Sequence, residues 1–144
     1  MTHDEFMIFV KKQNAWCAPP ATPQSVAIAN TTLQHMRAAI LPQQMIDLYT
    51  QCNGINLGNG YIFGTIDAMD GPKFLFPSIQ KINNDLIGFS RLRGHTVFGR
   101  NDLFWFSFDS FCNFFMIDNL TLNPLRKYDD AWRALSDCLA AGKI

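Results

Sequence analysis

The sequence has few charged residues and no excess of either sign. Only 17% of its 144 residues are charged, and twelve basic side chains balance twelve acidic ones. A general nucleic-acid binder needs a basic surplus to neutralise phosphates, whereas a protein that mimics nucleic acid needs an acidic surplus. The balance therefore argues against both of these functions.

Cysteines are also few and widely spaced. Zinc sites and disulfide frameworks use closer and more regular spacings than the sequence contains, and no C-x-x-C pair occurs. We therefore expect free, buried thiols in a reducing compartment, and neither a metal ion nor another cofactor. The four cysteines are Cys17, Cys52, Cys112 and Cys138.

The sequence has no long apolar run near its start. The stretch FMIFV, Phe6 to Val10, is too short to span a membrane or to form the apolar part of a signal peptide. The residues before it include Asp4 and Glu5 rather than a basic segment. We therefore expect a cytoplasmic protein that does not bind a membrane.

Aromatic residues are abundant: the chain has thirteen Phe, three Trp and three Tyr. A chain of this length buries roughly 68 to 70% of the surface that its unfolded form exposes. We therefore expect one domain, residues 1–144, with a core rich in large rings.

Helical spacing and capping residues predict five helices. We expect the second helix to carry an apolar stripe from Val26 to Ile40, and the third to end at Asn53-Gly54, where glycine can adopt a left-handed conformation. The predicted ranges are Thr2 to about Ala15, Thr22 to Ile40, Pro42 to Cys52, Ile79 to Leu86, and Tyr128 to Ala140 with Gly142 as its stop.

Apolar runs rich in β-formers predict the sheet. Short polar spacers between the last three runs favour antiparallel neighbours, and the nearly continuous apolar character of these runs predicts a sheet covered on much of both faces. The predicted strands are Tyr61 to Ile66, an edge strand Lys73 to Phe76, Thr96 to Arg100, Leu103 to Phe108 and Asn113 to Asp118.

Among the three histidines, His95 is the best candidate for chemistry. His3 lies in a capping sequence and His35 within a predicted helix, so structural or solvated roles suit both. Three arginines lie near His95 in the sequence, and guanidinium groups bind anions. An ordinary solvated loop is still the preferred interpretation, because charge clusters mostly lie on the surface. The three arginines are Arg91, Arg93 and Arg100.

Other catalytic patterns are weak in this sequence. The Asp pairs at 67/70 and 129/130 have no spacing that forces two carboxylates together, and the second pair suits a helix start. There is no G-x-S-x-G sequence, and the glycines from Gly54 to Gly64 match neither a P-loop nor a dinucleotide fold. Single-stranded nucleic acid could stack on Phe98, Arg100, Phe104 and Trp105, but core packing explains such apolar runs better.

Taken in order, the elements resemble the SUKH (SMI/KNR-like) superfamily, and most closely its YrhA-type branch. The similarity extends from about Thr22 onward and depends on the order of the elements rather than on one specific motif. The matching residues are Leu41-Pro42, Leu48-Tyr49, Asn53-Gly54, Tyr61 to Gly64, Gly99-Arg100, Phe106 to Asp109, Met116 to Asp118 and Trp132.

The resemblance implies an α+β fold, with a mixed, mostly antiparallel sheet between N-terminal helices and a C-terminal helix. It implies no enzymatic activity. Many bacterial members are immunity proteins that bind and neutralise a contact-delivered toxin, often a nuclease. We therefore expect a protein-binding module whose partner is a cognate toxin and which does not itself bind nucleic acid.

Two alternatives stay open: a small-ligand-binding or regulatory domain on the same fold, and an enzyme that uses His95 with a nearby aspartate. Because recognition residues tend to lie on loops, we predict partner contacts there. The predicted partner-binding residues are Asp67, Asp70, Arg91, Arg93 and Arg100. A local acidic face is a further expectation, formed by Asp67, Asp70, Asp102 and Asp109.

Overall fold

The computed structural model describes residues 1–140. Within them the five helices are α1 (His3–Lys12), α2 (Pro23–His35), α3 (Gln43–Tyr49), α4 (Ile79–Leu86) and α5 (Ala131–Ala140), with a 3₁₀ helix at Ser90–Leu92. The strands are β1 (Trp16–Cys17), β2 (Ile55–Leu57), β3 (Gly60–Ile62), β4 (Ala68–Asp70), β5 (Lys73–Phe76), β6 (His95–Arg100), β7 (Phe104–Asp109), β8 (Phe114–Asp118) and β9 (Pro124–Tyr128).

Seven of these strands form one sheet in the order β1-β2-β3-β6-β7-β8-β9, while β4 and β5 form a separate hairpin. Every pairing among the described strands is antiparallel. The predicted α+β class and mostly antiparallel sheet are therefore confirmed. The implied mixed character is wrong for residues 1–140, because short turns connect most neighbouring strands and leave no parallel pair.

The core lies between the large sheet and the helices. Aromatic rings of the central strands form its centre, with ring centroids 5.5 to 6.2 Å from that of Phe98. Helix α5 crosses the sheet and contacts six of its strands, and α1 packs against α5. The ring-rich core that the composition predicts is thus confirmed. Its central rings are Phe98, Phe106, Phe108 and Phe114.

The helix predictions are largely right because capping residues mark the starts. Ser78 accepts a hydrogen bond from the Lys81 amide at 3.3 Å, and α4 has the predicted bounds. The other four ranges need correction. Helix α1 ends at Lys12 rather than near Ala15, and α3 ends at Tyr49 rather than Cys52. Helix α2 ends at His35, so Ile40 lies outside it and is 53% exposed. Helix α5 begins at Ala131 because β9 occupies the residues up to Tyr128, and the predicted stop at Gly142 lies outside the described residues.

The strand predictions are less accurate. The predicted strand Tyr61 to Ile66 is the second half of a hairpin, because β2 and β3 pair across Gly58-Asn59 and β3 ends at Ile62. The strands β1, β2, β4 and β9 were not predicted. The central runs were predicted to within one residue at nearly every end.

The segment after α3 packs tightly on the end of β3. The Asn53 side-chain oxygen accepts hydrogen bonds from the Thr65 amide at 2.7 Å and the Thr65 hydroxyl at 3.1 Å. The buried Tyr49 hydroxyl donates to the Phe63 carbonyl at 2.6 Å. Gly54 has the predicted positive φ, +117°, although α3 already ends at Tyr49. These bonds fix the helix to the sheet.

Candidate functional site

A cavity of about 510 Å³ opens between the ends of two helices and the start of β6. The end of α2 forms one wall, the end of α4 and the 3₁₀ helix form another, and the first residue of β6 closes it. Its lining contains three cationic or basic side chains and a group of apolar ones. The basic residues are Arg37, Arg93 and His95, and the apolar ones are Met36, Leu86, Ile87, Phe89 and Leu92.

Arg37 reaches the cavity from an unusual backbone position. It follows Met36, the C-cap residue of α2, and has φ +59°. The Ala38 amide donates to the Leu33 carbonyl at 3.0 Å, and the Arg37 amide donates to the Gln34 carbonyl at 3.0 Å. Glycine usually occupies this position after the end of a helix, because other residues are strained in the left-handed conformation. An arginine here also interacts favourably with the helix dipole.

His95 is the first residue of β6, and its imidazole ring contacts Ser107 and Phe115. Its Nδ1 lies 3.0 Å from the buried Ser107 hydroxyl, and its ring lies 5.1 Å from that of Phe115. Burial lowers the pKa of His95, and the negative charge of Asp109 partly opposes that shift. The imidazole is therefore mainly neutral near pH 7. Ser107 is fully buried, so its hydroxyl cannot reach a substrate.

Asp109 lies directly opposite His95 in the register of β6 and β7. Its carboxylate accepts hydrogen bonds from the Phe111 and Asn113 amides and from the Asn113 side chain. Desolvation raises its pKa, but these hydrogen bonds outweigh it, so the net shift is downward. The carboxylate thus orders the turn after β7, while the His95 Nδ1 contacts Ser107 instead.

Only part of the predicted arginine cluster is assembled. Arg93 lies with His95 at the cavity, whereas Arg91 donates a hydrogen bond to the Asn123 side chain. Arg100 is at the other end of β6, five residues from His95 and so roughly 16 Å away along the strand. The grouping of three arginines around His95 is therefore wrong. The residue missing from it, Arg37, is distant in sequence and carries no motif that identifies it.

The predicted aspartates are also dispersed. Asp67 accepts a hydrogen bond from the Ser78 amide at 2.9 Å and pairs with Lys81 at 3.0 Å, so it holds the start of α4. Asp70 is exposed at the end of β4. Asp102 precedes β7 and Asp109 ends it, so these two lie at opposite ends of one strand. The four aspartates therefore do not form a single acidic face.

A second surface surrounds Arg100. Its guanidinium lies 6.0 Å from the centre of the Tyr61 ring, and both residues line a smaller cavity of about 220 Å³. Arg100 pairs in register with Tyr61 on β3 and with Trp105 on β7. We call Tyr61, Arg100 and Trp105 the arginine-aromatic patch. From the sequence, Trp105 was predicted to be a core residue. Its position beside Arg100 follows from the register of β6 and β7, which the sequence alone does not give.

The thiols are free, but not all are buried. Cys52 and Cys138 are buried, Cys17 is intermediate and Cys112 is exposed. The burial prediction is therefore wrong for Cys112, which lies in the turn between β7 and β8. The neighbouring Cys52 thiol lowers the pKa of Cys17, and burial raises that of Cys138.

Within residues 1–140, no three His, Cys, Asp or Glu side chains cluster closely enough to hold a metal ion. No helix in this range combines the length and the apolar character needed to cross a membrane. In comparisons with known proteins, no family model matches the chain and no curated protein is significantly similar to it.

Proposed function

We propose that the chain is a SUKH-type immunity protein, a non-enzymatic module that binds a cognate toxin in the bacterial cytoplasm. The observation that carries the proposal is that three residues of the resemblance contact one another at a single junction of the fold. Tyr49, Asn53 and Gly64 lie together where the segment after α3 meets the end of β3. Such mutual contacts are what a shared fold requires of a sequence pattern.

Two glycines of the pattern lie where a side chain would not fit. A Cβ on Gly64 would lie 2.1 Å from the Asn53 carbonyl oxygen, and one on Gly99 would lie 2.6 Å from the Tyr61 carbonyl oxygen and 2.8 Å from the Cys138 sulfur. Glycine at these two positions lets a loop and α5 approach the sheet. The order of elements and the close contacts between them thus support the SUKH-like fold.

The arginine-aromatic patch is the surface that best suits a protein partner. Arginine, tyrosine and tryptophan are enriched among the residues that dominate binding energy. Arg100 is exposed, and Tyr61 and Trp105 are partly exposed beside it. Leu103, in the turn next to the patch, is 60% exposed and adds apolar surface. Of the predicted partner-binding residues, Arg100 is therefore the one that we place at the centre of the interface.

Co-expression with the toxin encoded beside the gene tests the proposal. We expect the protein to restore growth and to copurify with the toxin. Arg100→Glu should weaken the complex at least tenfold, because a central charge is reversed. Growth rescue and the dissociation constant of the purified pair are the two measurements.

Arg133→Glu is the matched control, because Arg133 is exposed on α5 and lies outside the patch. It should leave rescue and affinity unchanged. If the wild-type chain neither rescues growth nor copurifies with the toxin, the immunity proposal is wrong. If Arg133→Glu weakens binding as much as Arg100→Glu, the patch is not the interface.

A further inference from the structure

We propose that the larger cavity binds a small organic anion, with a carboxylate or phosphate group held by the two arginines and the imidazole, and an apolar part held by the helix ends. This site lies at the opposite end of β6 from the arginine-aromatic patch. The inference is therefore independent of toxin binding.

The charges around the cavity favour an anion. Arg37 and Arg93 each supply a guanidinium, and no acidic residue is found among the described residues that line it. The nearest carboxylate to His95 in the sheet register, Asp109, is occupied by the amides of its own turn. The chain as a whole has no net charge, so this concentration of positive charge is local. Guanidinium groups bind carboxylates and phosphates through paired hydrogen bonds.

His95 can add a donor. When the buried Ser107 hydroxyl donates to Nδ1, the single proton of a neutral imidazole is on Nε2. That N–H is then available to an anion in the cavity. The packing of the ring against Phe115 holds the imidazole in this orientation.

The backbone at Arg37 is a second, independent observation. Helix α1 also ends with a left-handed residue, but there the residue is Asn14, which tolerates that conformation. Helix α2 places an arginine in the same role, although glycine would be unstrained. The left-handed backbone turns the chain sharply at the end of α2, where Arg37 lines the cavity.

The size and the rim of the cavity favour an organic rather than an inorganic anion. Its volume of about 510 Å³ lies in the usual range for small-molecule sites. Ile87 and Phe89 line it and are 63% and 47% exposed, so apolar surface faces solvent beside the charges. Covering that surface would add to the affinity of an anion that carries an apolar group.

Phenyl phosphate is a suitable probe, titrated into ¹⁵N-labelled protein and followed by NMR. We expect saturable shifts at the amides of Gly88, Gly94 and His95. Inorganic phosphate should bind more weakly because it lacks the apolar part, and benzyl alcohol more weakly because it lacks the charge. A parallel titration with phenylacetate identifies the anionic group, since the preferred one binds more tightly.

Three variants make the test specific. Arg93→Gln and Arg37→Gly should each weaken phenyl phosphate binding about tenfold, as expected for one lost charge-assisted hydrogen bond. Arg37→Gly also removes the backbone strain, so its thermal midpoint should be unchanged or higher and a loss of binding cannot come from misfolding. Arg133→Gln removes the same charge outside the cavity and should change nothing.

The proposal is overturned by the absence of saturable shifts at these amides, or by an equal effect of Arg133→Gln and Arg93→Gln. Equal binding of benzyl alcohol would show that the charges are not used. Equal binding of inorganic phosphate would refute the apolar part of the proposal.

Discussion

At the scale of single residues, Gly64 has no room for a side chain. A Cβ there would lie 2.1 Å from the carbonyl oxygen of Asn53 and 2.6 Å from its carbonyl carbon. These are backbone atoms, so no side-chain rotation can relieve the overlap. We expect Gly64→Ala to lower the free energy of unfolding by about 3 kcal/mol, measured by urea denaturation.

Gly88 provides the matched control for that substitution. A Cβ on Gly88 would have no heavy atom within 4 Å, and Gly88 does not have a positive φ. Gly88→Ala should therefore change stability by less than about 0.5 kcal/mol. If both variants lose the same stability, the close contact between Asn53 and Gly64 is not what requires glycine.

At the scale of elements, α4 takes the place of a strand beside β6. Strand β3 ends at Ile62, so it pairs with the second half of β6 only. The buried Asn83 side chain donates to the Val97 carbonyl and accepts from the Val97 amide, both at 2.8 Å. One side chain thus replaces a pair of ladder hydrogen bonds. We expect Asn83→Ala to lower the free energy of unfolding by about 2 to 4 kcal/mol, because two buried backbone groups lose their partners.

Asn84→Ala makes the same chemical change one residue later, at an exposed position. It should alter the free energy of unfolding by less than about 0.5 kcal/mol. Hydrogen exchange gives a second measurement, because the Val97 amide should lose protection in Asn83→Ala only. Retained protection at Val97 would contradict the bridging role.

The elements that the sequence predicts best have local signals. Helix α4 has a serine cap and an apolar spacing, and the central strands have long apolar runs, so their bounds follow from neighbouring residues. Strand β9 contains Arg126 and Lys127 and is exposed along most of its length, so nothing local distinguishes it from a loop. It is a strand because β8 pairs with it. An edge strand of this kind forms because a neighbouring strand pairs with it, and a single sequence does not identify that neighbouring strand.

The same reasoning applies to the cavity. Arg93 and His95 are neighbours in the sequence, so a shared anion site was considered for them, although a solvated loop was the preferred interpretation. Arg37 joins them only because α2 ends beside the 3₁₀ helix, and nothing in the residues around Arg37 indicates that contact. Arg100 was expected nearby from sequence distance, but an extended strand separates its ends by roughly 3.3 Å per residue.

At the scale of the whole molecule, the last two turns of the large sheet make stability dependent on pH. Asp118 accepts hydrogen bonds from the Thr121 amide and hydroxyl and from the Leu120 amide, and these lower its pKa. The pKa of Asp109 is lowered as well. A carboxyl group whose pKa is lower in the folded state stabilises the fold above its unfolded pKa, and that contribution is lost as the pH falls through the folded pKa.

We therefore expect the thermal midpoint to fall in two steps. The first begins near pH 6.5, because His95, whose pKa is lowered in the fold, is protonated more readily in the unfolded chain. The second begins at about pH 4, since unfolded aspartate titrates near 3.9. Asp118→Asn should flatten this acid dependence, because an amide keeps an acceptor oxygen but has no charge to lose. Asp129→Asn is the control, because Asp129 is exposed and accepts no hydrogen bond within residues 1–140. An acid dependence that is equally steep in all three proteins would mean that the turn carboxylates do not couple protonation to folding.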